Sequence, residues 1–141
     1  MTTLKIENWI MPALVTIVVI HLAVALFHGT AHKAVGVDLT AAQAAFVGIV
    51  IVLLPLVGSG LLWTKWRKQA AWIVALSMFA SLVFGIVNHF VLASPDNVMS
   101  LPEHPWRHPF ALSADLLAVT EAIGTVLGVA AVWQGRAGRG N

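Results

Sequence analysis

Three observations predict an all-α integral membrane protein, a four-helix bundle. The first is composition: 59% of the 141 residues are hydrophobic and only 10% are charged, whereas a soluble domain carries about 25% charged residues. The second is segregation: the few charges leave four apolar intervals, each close to the roughly 20 residues that a helix needs to cross a bilayer core. The third is the absence of period-2 alternation, which selects helices over barrel strands. The length argues for one domain. With no cysteine, disulfides, thiolate haem ligands and thiol catalysis are excluded. The net charge of +2 comes from scattered basic residues, so no nucleic-acid partner is expected.

The helices are placed at roughly 9–32, 40–64, 70–93 and 109–134. The first interval lies between Glu7 and Lys33, with Pro12 in its first turn, where a missing N–H costs little. Ala23-Val24-Ala25 offers a signal-cleavage pattern, but the apolar run exceeds a signal peptide's hydrophobic region and reads as a span. The second lies between Asp38 and Lys65, and Pro55 is expected to kink or loosen it. The third runs between Lys68 and Asp96 and carries Ser77 and Ser81, which read as interhelical glue. The fourth is interrupted by Glu121, and its Gly124 and Gly128 permit close approach of a neighbour. Between the third and fourth spans, Ser94–Phe110 forms a long loop rich in proline and histidine, expected to cap the bundle.

Orientation follows from the basic residues. Lys5, the turn Lys65-Trp66-Arg67-Lys68, and Arg136 with Arg139 belong on one side, which the positive-inside rule makes cytoplasmic. Both termini are therefore cytoplasmic, and the long loop faces outward. Trp9, Trp63, Trp66, Trp72 and Trp133 fall at the inner ends, as expected of interfacial tryptophan. The predicted location is a cell membrane, crossed several times, and the inner membrane in a Gram-negative source.

Histidine carries the functional signal. His21, His28 and His32 fall within roughly 40° of one another on a helix turning 100° per residue. Three imidazoles on one stripe argue for an interior face. His28 and His89 share a depth, with His32 one turn above, so His28, His32 and His89 form a candidate metal-ligand set, with Asn88 alongside. Copper, iron or zinc suits such donors. A b-type haem is the variant: His28 and His89 as axial ligands, with Gly29, Gly85 and Gly124 making room for the porphyrin. Glu121 falls near the midplane, where a carboxylate must pair, ligate a metal or carry a proton, and His21 is its best available partner. Asp96, Glu103 and Arg107 are assigned to water or headgroups, with His104 or His108 as partners.

Three functional readings stand. One is a redox or metal-handling protein with a histidine-rich metal or haem site near the outer face. Another is a metal-independent enzyme in which Glu121 and His21 perform acid–base catalysis on a lipid-like substrate entering laterally. The last is a transport or accessory subunit of a larger membrane complex, or a homo-oligomer joined through exposed GxxxG faces. Partners are the bilayer itself and a lipid or quinone.

Overall fold

A computed structural model describes residues 9–137. Lys5 and Arg139, used above for orientation, lie outside the described residues. The described chain is helical throughout its regular structure: α1 (Ile10–Val35), α2 (Ala41–Leu61), α3 (Arg67–Val91) and α4 (Arg107–Ala137). All four are long and apolar enough to cross a membrane.

Helix ends differ from expectation where charge had been used as the boundary. Lys33 does not stop α1, which continues to Val35. The stop is Gly36, whose left-handed backbone (φ 72°) suits a residue without Cβ. There the Val37 N–H donates to the His32 carbonyl at 3.0 Å, the longer bond of a Schellman cap. Helix α2 opens on Thr40, whose hydroxyl accepts from the Gln43 N–H while the Gln43 side chain accepts from the Thr40 N–H, a reciprocal capping box. Helix α4 begins two residues ahead of Pro109, which therefore lies in its first turn.

The expected loosening of α2 takes the form of a π-helical stretch, Val47–Leu53, just ahead of Pro55. In a regular helix the N–H of residue 55 would bond the Ile51 carbonyl, and proline has none to give. His21 takes its place: Nε2 donates to the Ile51 carbonyl at 3.2 Å, and Nδ1 lies 3.4 Å from the Thr120 hydroxyl. This imidazole joins α1 to α2 and α4 and is not bonded to Glu121, so the expected His21–Glu121 pair is corrected. His21→Leu is expected to lower the unfolding free energy in mixed micelles by about 1–3 kcal/mol, through the orphaned carbonyl. Adding Pro55→Ala restores an N–H and recovers part of that loss, and an equal loss in both backgrounds would contradict the assignment.

The helices pack in the ring order α1, α4, α3, α2, and the seam between α1 and α2 is the loosest. Apolar burial drives little association inside lipid, so small residues that let backbones approach matter more. A Cβ on Gly58 would stand 2.6 Å from Val74 Cγ2, and one on Gly128 would stand 2.8 Å from Ala75 Cβ. Gly124 and Gly128 are thus used within the chain, against α3, and not as an exposed GxxxG face. Ser77 and Ser81 are buried but donate to Val74 and Ser77 of their own helix, which replaces the expected interhelical bonds.

Two clusters mark the two ends. Ile10, Leu14, Leu62, Ala71, Val74 and Val132 form one core, and the exposed Trp9, Trp63, Trp72 and Trp133 each stand next in sequence to one of its members. Ala31, Val37, Leu101 and Phe110 form the other, with Trp106 packed on it. All the described residues of the histidine site lie toward this second end.

Candidate metal centre

His28, His32 and His89 come together as the sequence predicts, each at most 7% exposed. One ring nitrogen from each lies within 4.8 Å of the others, and the Nε2 atoms of His28 and His89 are 3.2 Å apart. Each Nδ1 points away from the centre to its own partner. His32 Nδ1 donates to the Val37 carbonyl at 3.2 Å, and His89 Nδ1 to the Asp96 carbonyl at 3.0 Å. The Schellman cap at Gly36 is what turns the Val37 carbonyl back to His32. His89 lies in the π-helical Val87–Val91 turn, a wider turn of the kind found at functional sites. The loop beyond it returns through the bond from Val98 N–H to the His89 carbonyl at 2.9 Å.

A backbone carbonyl only accepts, so these two contacts fix the proton on Nδ1 and leave a lone pair on Nε2 of His32 and His89. His28 Nδ1 faces the Ser113 hydroxyl at 2.8 Å, and that hydroxyl also reaches the Pro109 and Phe110 carbonyls at 2.8 and 2.9 Å. With the Ser113 proton on a carbonyl, Oγ accepts from His28 Nδ1, and His28 Nε2 carries a lone pair like those of His32 and His89. With the Ser113 proton turned to His28, Nε2–H of His28 donates to His89 instead. A hydroxyl rotation coupled to a change of the His28 tautomer, its proton passing from Nδ1 to Nε2, therefore serves both a cation at the centre and a direct imidazole–imidazole bond.

Asp96 completes the surroundings. Far from contacting water or headgroups, it is 6% exposed, with Oδ1 3.3 Å from His32 Nε2 and 3.2 Å from His89 Nδ1. Neither approach has hydrogen-bond alignment, so both carboxylate oxygens are buried without a hydrogen-bonded partner. The directed bond from His89 goes to the Asp96 main chain. Burial by itself raises the Asp96 carboxyl, but the nearby His89, His32 and His28 hold it below its ordinary value. Asp96 Oδ1 and the His32 Nε2 lone pair are both acceptors 3.3 Å apart, an approach that a cation shared between them would relieve.

Phe110 is fully buried and packs on all three imidazoles, with ring centroids 4.7, 4.7 and 5.5 Å away. Asn88 is not among the converging groups. Its Nδ2 donates to the Phe84 carbonyl and its Oδ1 accepts from Gln43, so the expected ligand or support role passes to Asp96. His104 and His108 are exposed and stand apart from the site. Glu103 and Arg107 pair with each other and not with those histidines.

Below the histidines lies a cavity of about 300 Å³, lined by residues of all four helices. His28, His32, His89 and Asp96 border it at one end, and Glu121, Ser81 and Ile51 at the other. Gly29 and Lys33 of α1 and Asp38 of the connection to α2 line it and are exposed, which marks the α1–α2 side as the one on which it opens. Of the glycines expected to admit a porphyrin, Gly29 has open space and Gly85 faces the cavity, but a Cβ on Gly124 would meet Met78 Cε at 2.5 Å. The short Nε2–Nε2 distance also leaves no porphyrin between His28 and His89.

Sequence reasoning missed Asp96, Ser113 and Phe110. A signal was present for Asp96, a lone acid just past the end of the His89 helix. The other two carry none, because a Ser or Phe in a transmembrane helix is ordinary. No protein family, curated protein or solved structure matches this chain.

Proposed function

We propose that the chain is a membrane metalloprotein in which His28, His32 and His89 hold one copper, iron or zinc ion through Nε2, for redox chemistry or metal handling. The observation that carries this reading is the convergence of three buried imidazole nitrogens whose outer Nδ1 atoms are already engaged. That is the arrangement in which a metal-binding histidine is oriented by its far nitrogen. Three protein nitrogens leave a coordination position free, as in catalytic rather than closed structural sites, and the cavity lies beside it. A bare ion is favoured over haem b by the Nε2–Nε2 distance of 3.2 Å. The basic residues at the opposite end of the bundle support an outer-face position for the site under the positive-inside rule.

Elemental analysis of detergent-purified protein, after mild chelation and reloading, tests this. One transition-metal ion per chain is the expected result, and protein that neither retains nor rebinds an ion overturns the reading. Asp96→Asn removes the charge beside His32 and His89. It is expected to weaken metal affinity by about 10–100-fold, the usual effect of losing such a supporting group, measured by competition with a chelator of known affinity. Unchanged affinity would remove Asp96 from the site.

A second reading has one observation in its favour. Glu121 Oε2 is buried without a partner at the far end of the cavity, which suits acid–base work on a substrate held there without metal. His21, being bonded to Ile51, is not its partner in that role.

A further inference from the structure

Glu121 gives the cavity a second polar station that a three-histidine metal site does not use. The residue is 2% exposed, and Oε2 has no hydrogen-bond partner. It is aimed into the cavity: a Cβ built on Gly85, across from it, would lie 3.7 Å from Oε2. Buried polar atoms without partners are rare and costly, and a donor carried by a ligand would satisfy this one.

The walls between the two stations are apolar, among them Ile51, Phe84, Leu117 and Ala118. Among the described residues, Lys33 is the single Lys or Arg lining the cavity, and both it and Asp38, which also lines it, are exposed. No Lys or Arg stands near Glu121, so the part of a ligand that meets this end is uncharged. The volume of about 300 Å³ is at the lower end of ligand cavities, which run from about 300 to 1,000 Å³. It accepts a ring-sized head and not a lipid, so any tail must leave through the α1–α2 seam, where Gly29 presents no side chain. Ala114 to Glu121 on α4 line the cavity at helical spacing and span roughly 10 Å at 1.5 Å per residue. That length suits a head with a polar group at each end.

We propose that the cavity binds the dihydroxylated ring of a membrane-dissolved hydroquinone, one hydroxyl donating to Glu121 and the other directed at the three histidines, with the tail in lipid. Only the second hydroxyl's placement rests on the metal reading, since the Glu121 contact needs no ion.

The test is calorimetric titration of zinc-loaded, detergent-solubilised full-length protein with duroquinol under argon, zinc being chosen because it is redox-inert. Saturable one-to-one binding is expected. Glu121→Leu is expected to weaken it by about tenfold or more, the equivalent of one buried hydrogen bond. Gly85→Leu, which fills the cavity, abolishes it with the zinc content unchanged. The dimethyl ether of duroquinol, lacking both donors, does not compete. Binding that is undiminished in both variants, or matched by the dimethyl ether, overturns the proposal. Stoichiometric zinc with no duroquinol binding also overturns it and leaves the metal reading standing. Glu121-dependent duroquinol binding to protein that rebinds neither zinc, copper nor iron supports it and refutes the metal reading instead.

Discussion

His28→Ala and His89→Ala are each expected to abolish stoichiometric metal binding, whereas His104→Ala retains it in full. Either of the first two changes leaves two imidazoles on the ion and removes one side of the closest pair, whose Nε2 atoms are 3.2 Å apart. Loss of affinity should exceed about 100-fold, the upper range for removing a mere supporting group. His104 is exposed, and its ring accepts from the Trp106 N–H within the loop, so nothing at the centre depends on it. Metal content by mass spectrometry decides the matter, with far-ultraviolet circular dichroism to establish that each variant remains helical. Full metal retention in both His28→Ala and His89→Ala would refute the ligand set. His32→Ala belongs to the same series, and its loss of metal should be accompanied by release of the Val37 carbonyl.

Gly128→Ala is expected to be the most damaging single-methyl addition to the bundle. The new Cβ would stand 2.8 Å from Ala75 Cβ, 2.9 Å from its Cα and 3.0 Å from its backbone nitrogen. Backbone cannot step aside, so α3 and α4 must move apart, at a cost typical of overpacking, about 1–3 kcal/mol. Gly124→Ala makes an instructive contrast. Its nearest obstacles are Cε and Cγ of Met78, at 2.5 and 3.1 Å. A methionine side chain has three rotatable bonds and yields more easily. Equilibrium unfolding in mixed micelles should therefore rank Gly128→Ala as the less stable of the two, and the reverse ranking would contradict the packing described here.

Much of the site was legible in the sequence because membrane chemistry makes polar residues conspicuous. A histidine stripe on α1 and a histidine near the far end of α3 had to face inward and share a depth, and they meet. Glu121 stood out for the same reason, and it is buried. Its supposed partner was mistaken because sequence depth alone matched it to His21. What engages His21 is a backbone carbonyl released by Pro55, two links removed from any pattern of side chains. Asn88 and Asp96 were misassigned through a related limit. Asn88 shares the π-helical turn with His89 yet bonds Gln43 and Phe84, and the direction of a side chain in a widened turn does not follow the regular 100° step. Asp96 lies in a loop, where neither periodicity nor depth constrains position.

The sequence by itself determined that this chain is helical, that four helices are long and apolar enough to cross a membrane, and which imidazoles share a face. Those properties follow from hydrocarbon tolerating only internally bonded backbone and few polar groups. Tertiary structure alone decided that one ring nitrogen from each of the three imidazoles converges, that Val37, Asp96 and Ser113 engage their Nδ1 atoms, and that a cavity joins them to Glu121. These depend on where the Gly36 cap and the return of the 92–106 loop bring distant atoms. Contacts between separate helices and loops have no period in one dimension, and an ångström-scale approach is set by packing.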